Sequence, residues 1–320
     1  MNTFTQAITN MHSFASNLRT LNMRALGVKS NAEKHTDADL IKKFGNVKGT
    51  FEMHHFFDII GTDDNPIDQQ HIDYFDLVCT HINSHLGEYF APKKLKSPHL
   101  ALNFNLQEMH DSKGLYDPTK PEHNKYISIL QPSLYLIGFN YAECLDIMHH
   151  FTDLFCEFGF NVIREKLECC MRGTTGIPAT SAEAYENARE YGKYYEFHIS
   201  IKRNDSENIT PDDIIELNQI VADLEFLSGL RFAFSYNKHH EGQMFINVRC
   251  RTICTDSCIV LMEKISKYIK KTEKFYVNKI IEEYILYDTF SALDAGWIDS
   301  NVIDLQGLEV RESIGIMHIN

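Results

Sequence analysis

Two short segments of this sequence repeat one pattern, a little under half the chain apart. The segments are Phe51-Glu52-Met53-His54 and Tyr195-Glu196-Phe197-His198. Each begins a run of strand-like composition, and the side chains of a β-strand alternate between its two faces. The glutamate and the histidine of each copy therefore share one face, and their apolar neighbours share the other. This repeat predicts two related units, each with a polar pair on one face of its sheet.

The same order of elements follows each segment. In the first half the sequence predicts strands at about 51–60, 99–106, 126–139 and 162–171, with a helix after about 66 and another at 142–158. In the second half it predicts strands at about 194–202, 231–236, 244–251 and 274–288, with helices that begin near 210 and 255. Each half therefore reads β-α-β-β-α-β, which is the order of a ferredoxin-like unit.

Capping residues and prolines mark several of these boundaries. Asn65 before Pro66 and Thr210 before Pro211 predict two helix starts. A side-chain oxygen can cap the first turn, and proline suits the first helical position. Thr255 is predicted to cap the last helix in the same way.

The last strands of the two halves match as well. Val162-Ile163-Arg164, followed by Glu168, corresponds to Val277-Asn278-Lys279, followed by Glu283. The predicted fold is therefore α+β, a tandem duplication of ferredoxin-like units with a helical N-terminal extension. The predicted organisation is an extension at 1–48, a first unit at 49–172, a linker at 173–193, a second unit at 194–290 and a tail at 291–320 that packs on the body.

Composition limits the classes of function. The chain has 320 residues, 43% of them hydrophobic and 23% charged, which is enough for two packed domains. A formal net charge of −13 argues against a surface that coats nucleic acid, although a local basic groove stays open. Sixteen histidines leave metal binding and pH-dependent behaviour open.

Cysteines and apolar runs bear on the compartment. No apolar run is long enough to span a bilayer, so no membrane partner is predicted. The eight cysteines form no C-x-x-C pair and mostly lie in apolar runs, as reduced core thiols do. We therefore expect a cytoplasmic protein without structural zinc. The first thirty-two residues contain no acidic residue, so an organelle transit segment is the alternative to an amphipathic helical extension.

Strand alternation collects the candidate functional residues on the sheet face that the helices leave open. Two such polar faces in one chain are expected to come together and enclose a charged cleft or tunnel. The alternative is a solvated outer sheet, on which alternating charges only maintain solubility.

These residue types suit a phosphate ester and a divalent cation. Arginine and lysine supply donors for phosphate oxygens, and glutamate and histidine suit a cation or proton transfer near neutral pH. The predicted catalytic residues are His198, His54, Glu196 and Glu52. The predicted substrate-binding residues are Arg249, Arg251, Arg164, Lys166 and Lys279. The predicted metal ligands are Glu196, Glu168 and Glu283, with Mg²⁺ or Mn²⁺ as the ion.

The second copy of the repeat resembles an element of the 2H phosphoesterases. Phe197-His198-Ile199-Ser200-Ile201 resembles their hydrophobic-His-x-Ser/Thr element, two of which face one phosphodiester. In the first half Phe56 stands where the hydroxyl residue should be, and the segment at His99 lacks that residue as well. The resemblance covers few residues and implies a phosphodiester substrate.

A duplicated unit that encloses a charged tunnel is also similar in concept to the triphosphate tunnel enzymes. Their first-strand Glu-x-Glu-x-Lys pattern is half matched by Glu196-x-His198-x-Ser200-x-Lys202. This similarity implies a phosphorylated substrate held inside a tunnel.

We therefore expect a phosphate-ester-binding protein. It would be a metal-assisted phosphohydrolase or phosphotransferase that acts on a nucleotide, a polyphosphate or an RNA end between the two halves. The alternative is a non-catalytic protein-interaction module with an acidic surface, in which the duplicated pairs only tie the sheets together. The sequence indicates no oligomeric state.

Overall fold

The computed structural model describes residues 35–62, 67–86, 102–110, 126–205, 208–237, 244–289 and 318–319. Its helices are α1 Asp37–Phe44, α2 Gln69–Ser84, α3 Tyr141–Glu157, α4 Ser181–Tyr191, α5 Pro211–Ser228 and α6 Thr255–Lys270. Its strands are β1 Lys48–Phe57, β2 Ile60–Thr62, β3 Leu102–His110, β4 Tyr126–Asn140, β5 Val162–Cys170, β6 Tyr194–Arg203, β7 Phe232–Asn237, β8 Met244–Cys250 and β9 Phe275–Asp288. The structure therefore mixes helices and strands, as the α+β prediction requires.

Eight of the strands close into a ring. Their order is β1-β5-β9-β6-β8-β7-β3-β4, and β4 pairs back to β1. The short strand β2 extends the wall beside β4. Every neighbouring pair is antiparallel. The sheet is thus a closed barrel, in which no strand of the ring is an exposed edge.

The two halves of the chain contribute four neighbouring strands each. The first half gives the order β5-β1-β4-β3, and the second half gives β9-β6-β8-β7. The halves meet where β5 pairs with β9 and where β3 pairs with β7. The two open sheets that the sequence suggested are therefore parts of one continuous wall.

The two faces of the barrel wall differ in polarity. Phe51, Phe197, Ile199 and Val248 are fully buried in a cluster that includes helix residues. The interior of an eight-stranded barrel has room for side chains or one small ligand but not for a helix, so the helices pack outside it. The polar residues that alternate with this set consequently point into the barrel, as the predicted alternation requires.

The predicted cap of α5 is present in the structure, whereas the predicted cap of α6 is not. Thr210 and Asp213 form a capping box at α5, with Pro211 in the first turn. Helix α2 is capped by Asp68, whereas the predicted cap at 65–66 lies outside the described residues. The prediction for Thr255 is wrong, because its hydroxyl donates to the Pro178 carbonyl oxygen instead of capping α6.

The segment predicted as a linker contains helix α4. Thr180 and Glu183 form a capping box at its start, and Gly192 ends it in a left-handed conformation, with φ of 66°. Its buried residues are Ala184, Asn187 and Ala188, and the Asn187 amide donates to the Tyr284 hydroxyl at 3.1 Å. This helix therefore packs against β9.

Asp213 concentrates several contacts at the start of α5. Its carboxylate accepts from the Thr210 backbone at 2.7 Å and from Arg203 at 3.0 Å, and it lies 2.9 Å from the Lys274 ammonium. Burial would raise the pKa of this carboxyl, but Lys274, Thr210 and Arg203 hold it below its usual range.

We expect Asp213→Ala to lower the free energy of unfolding by about 2 kcal/mol in urea titrations, since a cap and charge-assisted hydrogen bonds are lost. Because the folded-state pKa is depressed, this contribution is present above the unfolded pKa of about 3.9 and is lost as the pH falls through the folded value. The control is Asp212→Ala, an exposed residue of the same turn. If Asp212→Ala and Asp213→Ala lower the free energy of unfolding equally, the contacts of Asp213 do not contribute to stability.

Candidate functional site

The first half of the barrel interior holds a histidine between two carboxylates. His54 Nε2 lies 2.6 Å from Glu168 Oε1 and 3.5 Å from Glu52 Oε1, and its Nδ1 lies 2.8 Å from the Ser133 hydroxyl. His54 and Glu168 are buried, and Glu52 is partly exposed. Register explains the contacts, since Glu52 lies opposite Glu168 and His54 lies opposite Ser133 on neighbouring strands.

These three residues could hold a metal ion. One ligand atom from each of Glu52, His54 and Glu168 lies within 4.8 Å of the other two. Ser133 can fix the orientation of the imidazole, as outer-shell partners of metal-binding histidines do. Of the predicted metal ligands only Glu168 belongs to this set. The other two residues of this set, Glu52 and His54, are predicted from the sequence to be catalytic.

The charges of this group depend on one another. Burial disfavours the imidazolium, but Glu168 and Glu52 outweigh it and raise the pKa of His54. Burial likewise opposes ionisation of Glu168, but Lys166 and His54 lower its pKa to about 2. Burial raises the pKa of Glu52. A cation bound here would replace the proton on His54, because a metal ligand must be deprotonated.

Lys166 joins this group to the second half. Its ammonium lies 2.7 Å from Glu168 Oε2 and 2.5 Å from Glu196 Oε2. Two nitrogens of the Arg249 guanidinium, Nε and Nη2, each lie 2.9 Å from Glu196 Oε1. Burial would raise the pKa of Glu196, but Arg249 and Lys166 hold it well below its usual range. One carboxylate therefore serves two buried cations.

The second half repeats the contacts of the first around His198. Its Nε2 lies 3.2 Å from Glu283 Oε2, and its Nδ1 lies 2.5 Å from Asn247 Oδ1. The Asn247 amide nitrogen donates to the Ala233 carbonyl oxygen, so the amide oxygen faces the ring and Nδ1 is the donor. Burial opposes protonation of His198, but Glu283 raises its pKa to about 9. Burial and Glu168 raise the pKa of Glu283 to about 7.

The two halves differ at the positions opposite their glutamates. Arg249 lies opposite Glu196, whereas Tyr135 lies opposite Glu52. Glu196 is consequently neutralised by cations, and Glu52 faces a phenol. This difference separates the half that can hold a cation from the half that is rich in donors.

A cluster of cations and aromatic rings lies next to Glu196. Arg164 donates to both oxygens of Asp288, at 2.8 and 2.6 Å, and the Tyr194 hydroxyl donates to Asp288 Oδ2 at 3.0 Å. The guanidinium carbons of Arg249 and Arg251 lie 4.5 and 4.7 Å from the centre of the Tyr194 ring. Three of the predicted substrate-binding residues therefore meet around one tyrosine and one aspartate.

The other two predicted substrate-binding residues are Lys166 and Lys279. Lys166 belongs to the bridge described above, whereas Lys279 is exposed on β9 opposite Ser200. The sequence reasoning missed Ser133, Tyr194 and Asp288. Tyr194 could have been found, since it lies two positions before Glu196 and thus shares its face, but the other two depend on register.

Some interior oxygens accept no hydrogen bond from the described part of the chain. They are Glu168 Oε2, Glu283 Oε2 and Gln131 Oε1. The two carboxylate oxygens lie at ion-pair distances from Lys166 and His198, but their orientation does not meet hydrogen-bond geometry. Buried polar atoms of this kind are rare in folded proteins, and bound ions commonly satisfy them.

Comparison with known proteins shows no family for this chain. No family model matches the chain, and no curated protein matches it. One solved structure that resembles it weakly is described as a "Putative monooxygenase" from Fusobacterium nucleatum subsp. nucleatum, with 10% identity. The match covers 80% of this chain and 99% of that one, with a TM-score of 0.24, which is too low to show a shared fold. Among the described helices, none is both long and apolar enough to cross a membrane.

Proposed function

We propose that the barrel interior binds a phosphate ester together with a divalent cation, and that the chain is a metal-assisted phosphohydrolase or phosphotransferase. One observation carries this proposal. Candidate cation ligands and donors suited to phosphate meet in a single buried network, in which Lys166 lies within ion-pair distance of both Glu168 and Glu196.

The energetic cost of this network supports a functional reading. Removing a charged group from water costs several kcal/mol, and buried ion pairs often stabilise a protein less than apolar residues of similar volume. A barrel of this size could be filled with aliphatic side chains, as many eight-stranded barrels are. Retaining Glu196, Lys166 and Arg249 in its interior is therefore more consistent with binding than with stability alone.

We assign the proposed roles to two groups of residues. Glu52, His54 and Glu168 would hold the cation, proposed as Mg²⁺ or Mn²⁺, which supplies Lewis-acid polarisation of a phosphoryl oxygen. Arg249 and Arg164 would orient the phosphate, since guanidinium groups match its oxygens in pairs.

His198 and Glu283 form the proposed proton-transfer pair. With pKa values raised to about 9 and about 7, the pair can hold a proton near neutral pH. The carboxyl of Glu283 then lies in the range that suits general acid–base catalysis.

The strand order supports a further proposal about origin. Each half contributes four neighbours in the same order, with its first strand between its third and its last. We infer a tandem duplication of ferredoxin-like units whose edges have joined.

The proposed substrates are a nucleotide, a polyphosphate or an RNA end, in line with the similarity in concept to triphosphate tunnel enzymes.

One observation favours the alternative of a non-catalytic interaction module. Arg164 is neutralised by Asp288, and Glu196 is neutralised by Lys166 and Arg249. In that reading the interior charges only hold the wall together, and the acidic outer surface binds a partner protein.

A ligand screen separates the two proposals. We expect inorganic tripolyphosphate, a nucleoside triphosphate or a 5′-triphosphorylated RNA oligonucleotide to raise the melting temperature, and Mn²⁺ or Mg²⁺ to increase that rise. A ligand at a hundredfold its dissociation constant stabilises the folded state by about 2.7 kcal/mol. Release of phosphate in the same samples tests catalysis. No response to any of the three, with or without metal, would leave the interaction module as the better account.

A further inference from the structure

The Lys166 ammonium lies next to the candidate cation site formed by Glu52, His54 and Glu168. This ammonium lies 2.7 Å from Glu168 Oε2, while Glu168 Oε1 faces His54 in the candidate cation set. The lysine side chain is only 8% exposed. A divalent ion on Glu52, His54 and Glu168 would therefore share the Glu168 carboxylate with a buried ammonium.

We propose that Lys166 competes with the divalent cation for Glu168, and that binding of the cation frees the ammonium to contact an oxyanion. The second part rests on the proposed function, because it assumes a phosphate in the barrel. The first part concerns only the cation and stands independently of any substrate.

The competition follows from charge. A divalent ion on Glu168 withdraws the negative charge that holds Lys166 and repels its ammonium at short range. Glu196 cannot compensate alone, since Arg249 already shares that carboxylate at 2.9 Å. The Lys166 ammonium can then form an ion pair with another anion, such as a tetrahedral oxyanion in the barrel.

The second half of the barrel gives an internal contrast. Lys166 lies opposite His54 in the sheet register, and the position opposite His198 is Ile281. At this register position a lysine is thus present in the half where two carboxylates and a histidine could hold a cation, and an isoleucine is present in the other half. This pairing of lysine with the cation set is what a displaceable counter-ion requires.

Competition makes a specific thermodynamic prediction. If cation binding frees Lys166, cation and oxyanion must each increase the other's affinity by the same factor, and such coupling is commonly about 5- to 150-fold. Without Lys166 the cation should bind more tightly, because its competitor is gone, and the oxyanion should no longer improve cation binding.

The test measures Mn²⁺ binding by the electron paramagnetic resonance signal of free Mn²⁺. We expect the dissociation constant of Lys166→Met for Mn²⁺ to be at least about tenfold lower than that of the wild type. We also expect Mn²⁺ to raise the melting temperature of this variant by more than it raises that of the wild type. Lys166→Gln keeps a hydrogen-bond donor without the charge and should also bind Mn²⁺ more tightly. It replaces the methionine variant in the test if that variant folds poorly. The control is Lys267→Met, an exposed lysine of α6 that should leave Mn²⁺ affinity unchanged.

Sulfate, compared with chloride at equal ionic strength, tests the second part. It should tighten Mn²⁺ binding in the wild type and not in Lys166→Met. If neither uncharged variant binds Mn²⁺ more tightly than the wild type, the inference is wrong, whatever sulfate does. If both bind Mn²⁺ more tightly but sulfate has no effect on any protein, the competition stands and the failure belongs to the proposed phosphate site.

Discussion

Replacing Arg249 by alanine is expected to lower turnover of the phosphorylated substrate by about 10²- to 10³-fold, the usual effect of removing one preorganised donor. Arg249 is buried, its guanidinium is oriented by Glu196 at 2.9 Å, and it stacks on the Tyr194 ring at 4.5 Å. An oxyanion in the barrel would meet a group that is already fixed in place. The measurement is kcat for the substrate that the ligand screen identifies.

The controls separate catalysis from folding. Arg249→Lys keeps the charge but loses the planar fork, so an intermediate loss is expected. Arg231→Ala removes an exposed arginine that precedes β7 and should leave turnover unchanged. Full turnover in a folded Arg249→Ala protein would remove Arg249 from the phosphate site.

Replacing Glu196 by alanine is expected to lower the free energy of unfolding by about 3–5 kcal/mol, the range seen when one partner of a buried ion pair is removed. The carboxylate accepts from Lys166 and Arg249, and without it both cations remain buried beside each other. Urea denaturation followed by circular dichroism measures the change.

Matched variants identify the cause of that loss. Glu196→Gln keeps the volume and one acceptor oxygen, so a loss of the same sign indicates charge rather than packing. Glu263→Ala, at an exposed position of α6, should change stability by less than about 0.5 kcal/mol. A loss below about 1 kcal/mol for Glu196→Ala would mean that the interior is well hydrated, and the ion-pair network would then contribute little.

The strand faces could be predicted because they depend on local alternation. If residues 195–201 form a strand, Phe197 and His198 must lie on opposite faces. The same reasoning placed Glu52 with His54 and Arg164 with Glu168. Burial confirms the division, since Phe197 lies in the helix-backed core and His198 contacts Glu283 inside the barrel.

Closure of the barrel could not be predicted, because it depends on contacts between the halves. The joining pairs β5–β9 and β3–β7 link strands far apart in the chain. Nothing in the composition of those strands distinguishes pairing with a distant strand from an open edge. The sequence therefore predicts two polar faces that enclose a cleft or tunnel, but it does not predict that the edges of the two sheets join into one wall.

The members of the candidate cation site also depend on contacts between strands. Glu52 and Glu196 are equivalent in the repeat, and the sequence does not say which one is neutralised. Register decides this, because Arg249 lies opposite Glu196 and Tyr135 lies opposite Glu52. Helix α4 was missed although its capping residues were visible, because small alanines form most of its buried face and give a weak periodic signal.

A crystal structure with Mn²⁺ and imidodiphosphate, measured at the manganese absorption edge, tests the proposed site most directly. We expect an anomalous peak inside the barrel, bound by Glu52, His54 and Glu168, with phosphate density beside Arg249. Manganese found only on the outer surface, with the interior ion pairs unchanged, would contradict it.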